Sequence, residues 1–440
     1  MNNQSTLITA PFKRVASACL LLTGLGLQSA FAEGGLDVMQ GFPPPAEQRV
    51  TKANAFQSPY LRWATSHARE LSPTRNVARA ESPLVLKNGE PQSLGDLAFS
   101  VGEQTLTLSR YLEETATDGF LVLHKGRIVY ERYLDRFTER QPHIWASMTK
   151  SVTGLLAAQL IAEGKLDPNA RLSSYVPELV DTPFGDATVQ QNLDMAVAVS
   201  YPGNVPPDIG LFAATGIVPR KPGMPATIYD FLKVAGNDAA QAGKPLFFYQ
   251  NGSPEAVAWA ISRVTGQSWS RLVSERIWSQ FAVDDADMLV DEQGIEMASG
   301  GLSSSLRDAG RFAEAVRLAL GEDSRKDPFA RAVQLSFAPH DNRDLIAAGS
   351  KSGERTGYSY HNYWYQKNDG DGSLEAAGRF GQKIYINPAR ELVIVKLASA
   401  MDLAPRATQP GASQARGSRA IDSQKAFNNL VTAVLRVIPN

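Results

Sequence analysis

The sequence predicts an α/β protein: one discontinuous α/β domain interrupted by a helical insert. Three observations carry this. Phe120-Leu121-Val122-Leu123 and Ile128-Val129-Tyr130 are β-rich runs either side of His124-Lys125-Gly126-Arg127, and Ile384-Tyr385-Ile386 and Leu392-Val393-Ile394-Val395 flank Asn387-Pro388-Ala389-Arg390 in the same way. Both read as hairpins. Between them the apolar pattern is helical, so strands stand at both ends and helices in the middle.

In chain order, Lys13 and Arg14, the apolar stretch Val15 to Leu27 and Ala30-Phe31-Ala32 have the form of a cleaved secretory leader over 1–32. The apolar run is shorter than the about 20 residues that span a bilayer. Residues 33–95 are rich in Pro, Gly and charge, as in Gly41-Phe42-Pro43-Pro44-Pro45, and predict an irregular surface arm with no assigned function. The α/β domain is expected over 96–145 and 346–440, and the helical part over 146–345. Within it, Thr149 to Glu163 has Val152, Leu155, Leu156, Leu160 and Ile161 at helical spacing and stops at Gly164, predicting a helix buried along one face. Residues 200–247 hold several prolines and glycines and predict a long, lid-like loop. Ser253-Pro254-Glu255 supplies a cap, a first-turn proline and an early acid to a helix that ends at Gly266. Leu302 to Leu320 reads as helix, and Ile421 to Ile438 as a closing amphipathic helix.

Composition removes several function classes. The chain has 440 residues, 44 Lys plus Arg against 45 Asp plus Glu, a net charge of −1. Removal of the leader would give 42 − 45 = −3. Neither leaves a basic excess for nucleic acid or anionic lipid. Cys19, the single cysteine, lies inside the leader, so a thiol nucleophile and thiolate metal sites are excluded from the mature chain. Its place within the apolar run is wrong for lipidation. A periplasmic or secreted protein without a membrane anchor is expected. No HExxH, calcium-loop spacing, GxxxxGK[ST] or GxSxG is present. The histidines His67, His124, His143, His340 and His361 are too scattered to predict a metal site, and none is expected. His143 stands out only because it lies four residues before Ser147.

Ser147-Met148-Thr149-Lys150 sets a hydroxyl and an amine three residues apart, on one face of a helix. A lysine whose pKa falls on burial can take the serine proton, whereas an ordinary ammonium near 10.4 is no base at neutral pH. Such a four-residue pattern arises by chance about once in a chain this long. Its position at a helix start strengthens it, because unpaired N–H groups there favour developing negative charge. Tyr249-Gln250-Asn251, ahead of the capped helix, offers a phenol for proton transfer to a leaving group. Phe247, Phe248, Trp145 and Tyr363 are candidates for an apolar acyl pocket, or for core.

Ser-x-x-Lys followed by Tyr-x-Asn resembles the serine β-lactamase and penicillin-binding superfamily, in its class C-like esterase and amidase branch. Gly126 to Glu131, Leu193-Asp194-Met195, Gly300-Gly301-Leu302-Ser303 with Arg307-Asp308, and Gly381-Gln382-Lys383-Ile384 are similar in type and order. Pro142-His143, Val257-Ala258-Trp259, Arg263-Val264-Thr265-Gly266 and Val393 to Leu397 resemble the nylon-oligomer (6-aminohexanoate-dimer) hydrolases. The resemblance covers about 118 to 400. It implies a β-lactamase-like sandwich whose mainly antiparallel sheet comes from both chain ends.

For the site, the resemblance implies Ser147 as nucleophile, Lys150 as base, Tyr249 as proton carrier, Asn251 in support, and backbone N–H groups of Ser147 and Arg379 as the oxyanion hole. It further implies a third box, Lys/His-x-Gly, best placed at Ala376-Ala377-Gly378 without its cation. That absence argues against a β-lactam or peptide carboxylate as substrate. Lys351-Ser352-Gly353 fits the box by letters but reads as a surface loop. The expected function is an exported serine hydrolase acting on a small amide or ester, with no metal or cofactor. A β-lactamase or D-Ala-D-Ala peptidase, and an acyl-trapping or binding protein without turnover, are the alternatives. Residues 200–247 show no clear match to the nylon-oligomer enzymes, so the resemblance does not carry their substrate over.

Overall fold

The computed structural model describes residues 38–439, apart from 239–240, 242–243, 324, 326, 351–353 and 402–422. The expected leader and Lys351-Ser352-Gly353 lie outside the described residues. Among the described residues no helix is long and apolar enough to cross a membrane.

The strands are β1 (Thr74–Val77), β2 (Lys87–Asn88), β3 (Ala98–Val101), β4 (Gln104–Thr107), β5 (Thr117–His124), β6 (Arg127–Tyr133), β7 (His143–Ile144), β8 (Val199–Ser200), β9 (Gly236–Asn237), β10 (Ala286–Leu289), β11 (Leu302–Ser304), β12 (Ser359–His361), β13 (Trp364–Gln366), β14 (Leu374–Gly378), β15 (Gln382–Asn387) and β16 (Leu392–Ala398). Eight form one sheet in the order β12-β13-β14-β15-β16-β5-β6-β2. Every neighbouring pair is antiparallel except β2 with β6. The two expected hairpins are β5–β6 and β15–β16, joined edge to edge by β16 and β5. The β5–β6 turn has positive φ at both Lys125 and Gly126, a two-residue geometry that suits the right-handed twist of the strands.

Five helices matter for the site: α1 (Leu61–Ser66), α2 (Thr149–Ala162), α3 (Gly252–Thr265), α4 (Leu306–Ala319) and α5 (Gln424–Val437). β16 is buried at every position, and β5 at all but its last, because the sheet is covered on both faces. Leu121, Leu123, Val393 and Val395 share a core with α2 and α4, while Phe120, Val122, Leu392 and Ile394 face α5.

Several elements differ from expectation. α2 is buried from Thr149 to Leu160 on all sides, not along one face, since it is the central helix of the molecule. Leu302–Ser304 is strand rather than helix: it pairs with β10 and β7, and α4 starts after Ser305, whose side chain accepts from the Asp308 N–H. α3 starts at Gly252, and Gln250 Oε1, not Ser253, takes the N–H groups of Gly252 and Ser253. The stretch 200–247 contains helices Pro207–Ala214 and Ile228–Lys233 and a β8–β9 pair. Residues 38–95 hold α1, a further short helix, β1 and β2 rather than an irregular arm. β1 pairs with β10, in a four-stranded sheet β1-β10-β11-β7 that ends just ahead of Ser147.

Buried Asp118 at the start of β5 ties these parts together. Its Oδ1 accepts from Arg62 Nε of α1 at 2.6 Å, and its Oδ2 meets His143 Nε2 at 3.0 Å and the Ser399 hydroxyl. His143 is thus part of the framework. Replacing Asp118 by Ala strands the buried His143 Nε2, while Arg62 keeps the Thr117 carbonyl and Asp135, and is expected to cost about 2 kcal/mol of unfolding free energy in urea titrations.

Candidate active site

The loop from β7 into α2 presents Ser147. Trp145 anchors it: the indole is fully buried between Trp278 and Phe312 and its Nε1 donates to Ser304 Oγ at 2.8 Å. Ala146 then takes a positive φ of 46°, a strained conformation for a residue with a Cβ, and this turns the backbone into α2. Ser147 is half-buried between buried neighbours and lines a cavity of about 830 Å³. A volume of this size suits a small-molecule site.

Lys150 lies behind Ser147, one turn along and 1% exposed. Its Nζ reaches Ser147 Oγ at 2.9 Å, Asn251 Oδ1 at 2.7 Å and the Ser299 carbonyl at 2.8 Å. Burial lowers the amine pKa to about 7, against the opposing pull of the Glu255 and Asp208 carboxylates. Asn251 Oδ1 and Ser299 O can only accept, so they claim two N–H groups. The Ser147 hydroxyl can either donate or accept, and a neutral amine therefore points its lone pair at that hydroxyl. Asn251 is held in this orientation by an Nδ2 contact of 3.4 Å to Asp208 Oδ1. Its recruitment to Lys150 explains why Gln250 caps α3.

Tyr249 lines the same cavity and is 39% exposed into it, with Lys150 Nζ 5.2 Å from its ring centroid. The surrounding walls push its phenol well above the ordinary value, as does Tyr365, while Ser147 pulls the other way. At neutral pH it is a protonated donor.

Gly378 ends β14 where a Cβ would lie 2.4 Å from the Trp145 carbonyl oxygen. Only glycine allows this approach, which brings Arg379 beside the Ser147 loop, and Gly378 and Arg379 both line the cavity. Phe380, next in chain, has a φ of 69°. Ala376 turns into the core at 2% exposure and Ala377 into the cavity. The cation missing from the third box has a neighbour from elsewhere: Arg355 lines the cavity and bonds Glu375 at 2.8 Å. Of the aromatic candidates, Phe247 and Phe248 line the cavity, whereas Trp145 and Tyr363 are core.

Two features were not anticipated. Residues of the 33–95 stretch, including Phe56, Leu61 and Leu71, form one cavity wall. Phe56 stacks between Phe212 and Phe380 at centroid distances of 6.0 and 5.8 Å. Scattered apolar residues among prolines carry no periodicity that would announce such a wall. The second is Glu255, which the sequence presents only as an early helix acid: it is 1% exposed and directed at the backbone of 298–299.

Among the described residues the grouping nearest to a metal site is Asp194, His340 and His361, whose ligand atoms lie within 4.8 Å of one another. The Asp194 oxygens already take His361 Nδ1 at 2.9 Å, the Asn362 N–H at 3.1 Å and Gln190 Nε2 at 3.0 Å. This carboxylate is engaged as a tie between segments.

The Beta-lactamase family profile matches residues 108–416. The chain belongs to the β-lactamase family. It is 30% identical over 376 residues to the 6-aminohexanoate-dimer hydrolase of Paenarthrobacter ureafaciens, covering 81% of this chain and 90% of that one. A solved structure from Bacillus anthracis, of a candidate 6-aminohexanoate-dimer hydrolase, superposes with a TM-score of 0.76 at 32% identity, over 90% of this chain and 100% of that one. A candidate β-lactamase of Bacteroides dorei shares the fold alone, with a TM-score of 0.51 at 13% identity over 75% of this chain and 96% of that one. The Ser147 cluster opens into a cavity that residues 52–72 close on one side.

Proposed function

We propose that this protein is an exported serine hydrolase that cleaves an amide or ester of a small molecule through an acyl-enzyme on Ser147. The observation that carries this reading is the buried Lys150, lowered to about 7 and hydrogen-bonded to Ser147 Oγ. Lys150 accepts the serine proton as Oγ forms a bond to the substrate carbonyl carbon. The N–H groups of Ser147 and Arg379 hold the oxyanion. Tyr249 gives a proton to the departing amine or alcohol as the carbonyl re-forms, and Asn251 keeps Lys150 aligned. Lys150 then passes the serine proton to Tyr249 and is neutral again, and water, losing a proton to Lys150, cleaves the acyl-enzyme as that proton returns to Ser147 Oγ.

The leader-like segment 1–32 supports a periplasmic or secreted location. The relative is named for a 6-aminohexanoate dimer, and the apolar cavity wall of Phe56, Phe212, Leu246, Phe247 and Phe248 suits an extended apolar acyl chain. Truncation of Phe56 to Ala is expected to reduce discrimination of an octanoyl over an acetyl p-nitrophenyl ester by about tenfold in kcat/KM, equivalent to about 1.4 kcal/mol of apolar contact.

The reading is tested with a fluorophosphonate probe on the wild type and Ser147→Ala, with the adduct located by mass spectrometry. A stoichiometric adduct on Ser147, absent from the variant, is expected. A folded wild type that takes no label would remove the acyl-enzyme. A burst of product without steady turnover would instead indicate acyl trapping, and rapid nitrocefin hydrolysis a β-lactamase.

A further inference from the structure

Glu255 is a buried carboxylate in the first turn of α3, and no cation bonds to it directly among the described residues. Its Oε2 accepts the Ala298 N–H and its Oε1 the Ser299 N–H, both at 2.9 Å. The other side of the same two residues is held by α2: Thr153 Oγ1 donates to the Ala298 carbonyl at 2.9 Å and Lys150 Nζ to the Ser299 carbonyl at 2.8 Å. Thr149 Oγ1 accepts from Leu302 N at 3.2 Å. The segment 298–302 is therefore clamped between the two helices, with Glu255 gripping its N–H edge and Lys150 its C=O edge.

We propose that Glu255 is a positioning residue: by bonding both N–H groups of Ala298-Ser299 it holds the Ser299 carbonyl against Lys150 Nζ and so fixes the amine in line with Ser147 Oγ. This rests on the Ser147 acyl-enzyme reading above. Two acceptors must occupy two of the amine's hydrogens for its lone pair to face the serine, and the Ser299 carbonyl is one of them. If that carbonyl rotates away, the amine loses its orientation though all three reacting residues remain.

A second consequence is electrostatic. The carboxylate favours the ammonium form of Lys150; burial raises the Glu255 pKa to about 7, while its hydrogen bonds to Ser299 and Ala298 and the Lys150 ammonium pull it back. Other groups that face the pair are Asp208 and Tyr249 on the Lys150 side, and Tyr229, Tyr363 and Glu296 around Glu255, the last bonded to Arg75. Asp208 and Glu255 push Lys150 in the same direction, so loss of the Glu255 charge shifts the lysine further toward neutral.

The test uses full-length wild type, Glu255→Gln and Glu255→Asp, each checked by thermal unfolding. The readouts are the rate of Ser147 labelling by the fluorophosphonate and the pH profile of kcat/KM for a p-nitrophenyl ester. Gln presents one acceptor and one N–H donor to two N–H groups, so kcat is expected to fall at least tenfold with KM changed less than twofold. The acid limb of the profile moves to lower pH. Asp keeps the charge on a shorter arm: its limb stays near the wild-type position while kcat falls. A Gln variant with wild-type kcat and an unmoved limb overturns the proposal. An unlabelled wild type would remove the acyl-enzyme reading itself, whereas a labelled wild type beside an indifferent Gln variant removes only the role of Glu255. Should neither variant fold, the amide resonances of Ala298 and Ser299 in the wild type decide. They are expected to titrate together with the acid limb, and amides that stay still from about pH 5 to 9 overturn the proposal.

Discussion

Lys150→Met is expected to lower kcat/KM by about 10³-fold, the scale of a lost general base, with Ser147 left in place. Methionine keeps most of the buried stem and removes the amine, so the serine proton has no acceptor within reach. The wild-type profile is expected to rise as pH passes about 7, because Lys150 must shed its proton before it can act and burial lowers its pKa to that value. The same shift has a signed effect on stability. Unfolded, the lysine stays protonated to about pH 10.4. Folded, it loses its proton near 7. Between these values the unfolded chain binds more protons, so the wild type gains stability with rising pH, and below 7 the full penalty of the buried charge is present. Denaturant midpoints of wild type minus Lys150→Met should therefore move in favour of the wild type from pH 7 to 10. A difference that stays flat over this range would mean that Lys150 is not held neutral by the fold.

The second large effect is structural. Gly154 lies on α2, one turn beyond Lys150, where an added Cβ would sit 2.0 Å from the Asn362 carbonyl oxygen and 2.9 Å from its carbon. The clash is with backbone, in a turn where Asn362 and Tyr363 both have positive φ, so no side chain can swing away. This turn is fixed from three sides: Ser151 Oγ donates to Tyr363 O at 3.0 Å, Tyr363 N donates to Leu193 O, and Asn362 N donates to Asp194 Oδ1. Gly154→Ala is expected to destabilise by about 3 kcal/mol or more, at the top of the range for overpacking, despite the better helix propensity of alanine. Because the strain pushes on the helix that carries Lys150, Ser147 labelling should also slow in whatever fraction folds. A guanidinium titration indistinguishable from wild type would show that α2 and the 362–363 turn do not approach this closely.

Much of the architecture could be read from local signals. The hairpin β5–β6 announces itself through two apolar runs around Lys125-Gly126, and β15–β16 likewise, because strand periodicity and turn chemistry are properties of neighbouring residues. Ser147 and Lys150 share a helix face at a spacing of three, so their meeting at 2.9 Å is also local. Where the sequence misled, a tertiary partner had changed the local choice. Leu302–Ser304 has a helical pattern but lies between β10 and β7 as strand. Ser253 looks like a cap, yet Gln250 caps α3 and Ser253 Oγ bonds to Asn192 Oδ1 at 3.0 Å.

By itself, then, the sequence determined the hairpins at the two ends, the SxxK turn and the phenol-amide pair before α3, since each depends on residues a few positions apart. Three other things came only with the folded chain: that residues 52–72 wall the cavity, that Asp118 joins α1, β7 and the end of β16, and that Glu255 grips the strand of backbone facing Lys150. These are contacts between segments far apart in the chain, made by polar and apolar side chains of ordinary type. Their meaning comes from the removal of water around them: a carboxylate or an amine becomes a functional group of unusual proton affinity only once folding has buried it beside a chosen neighbour.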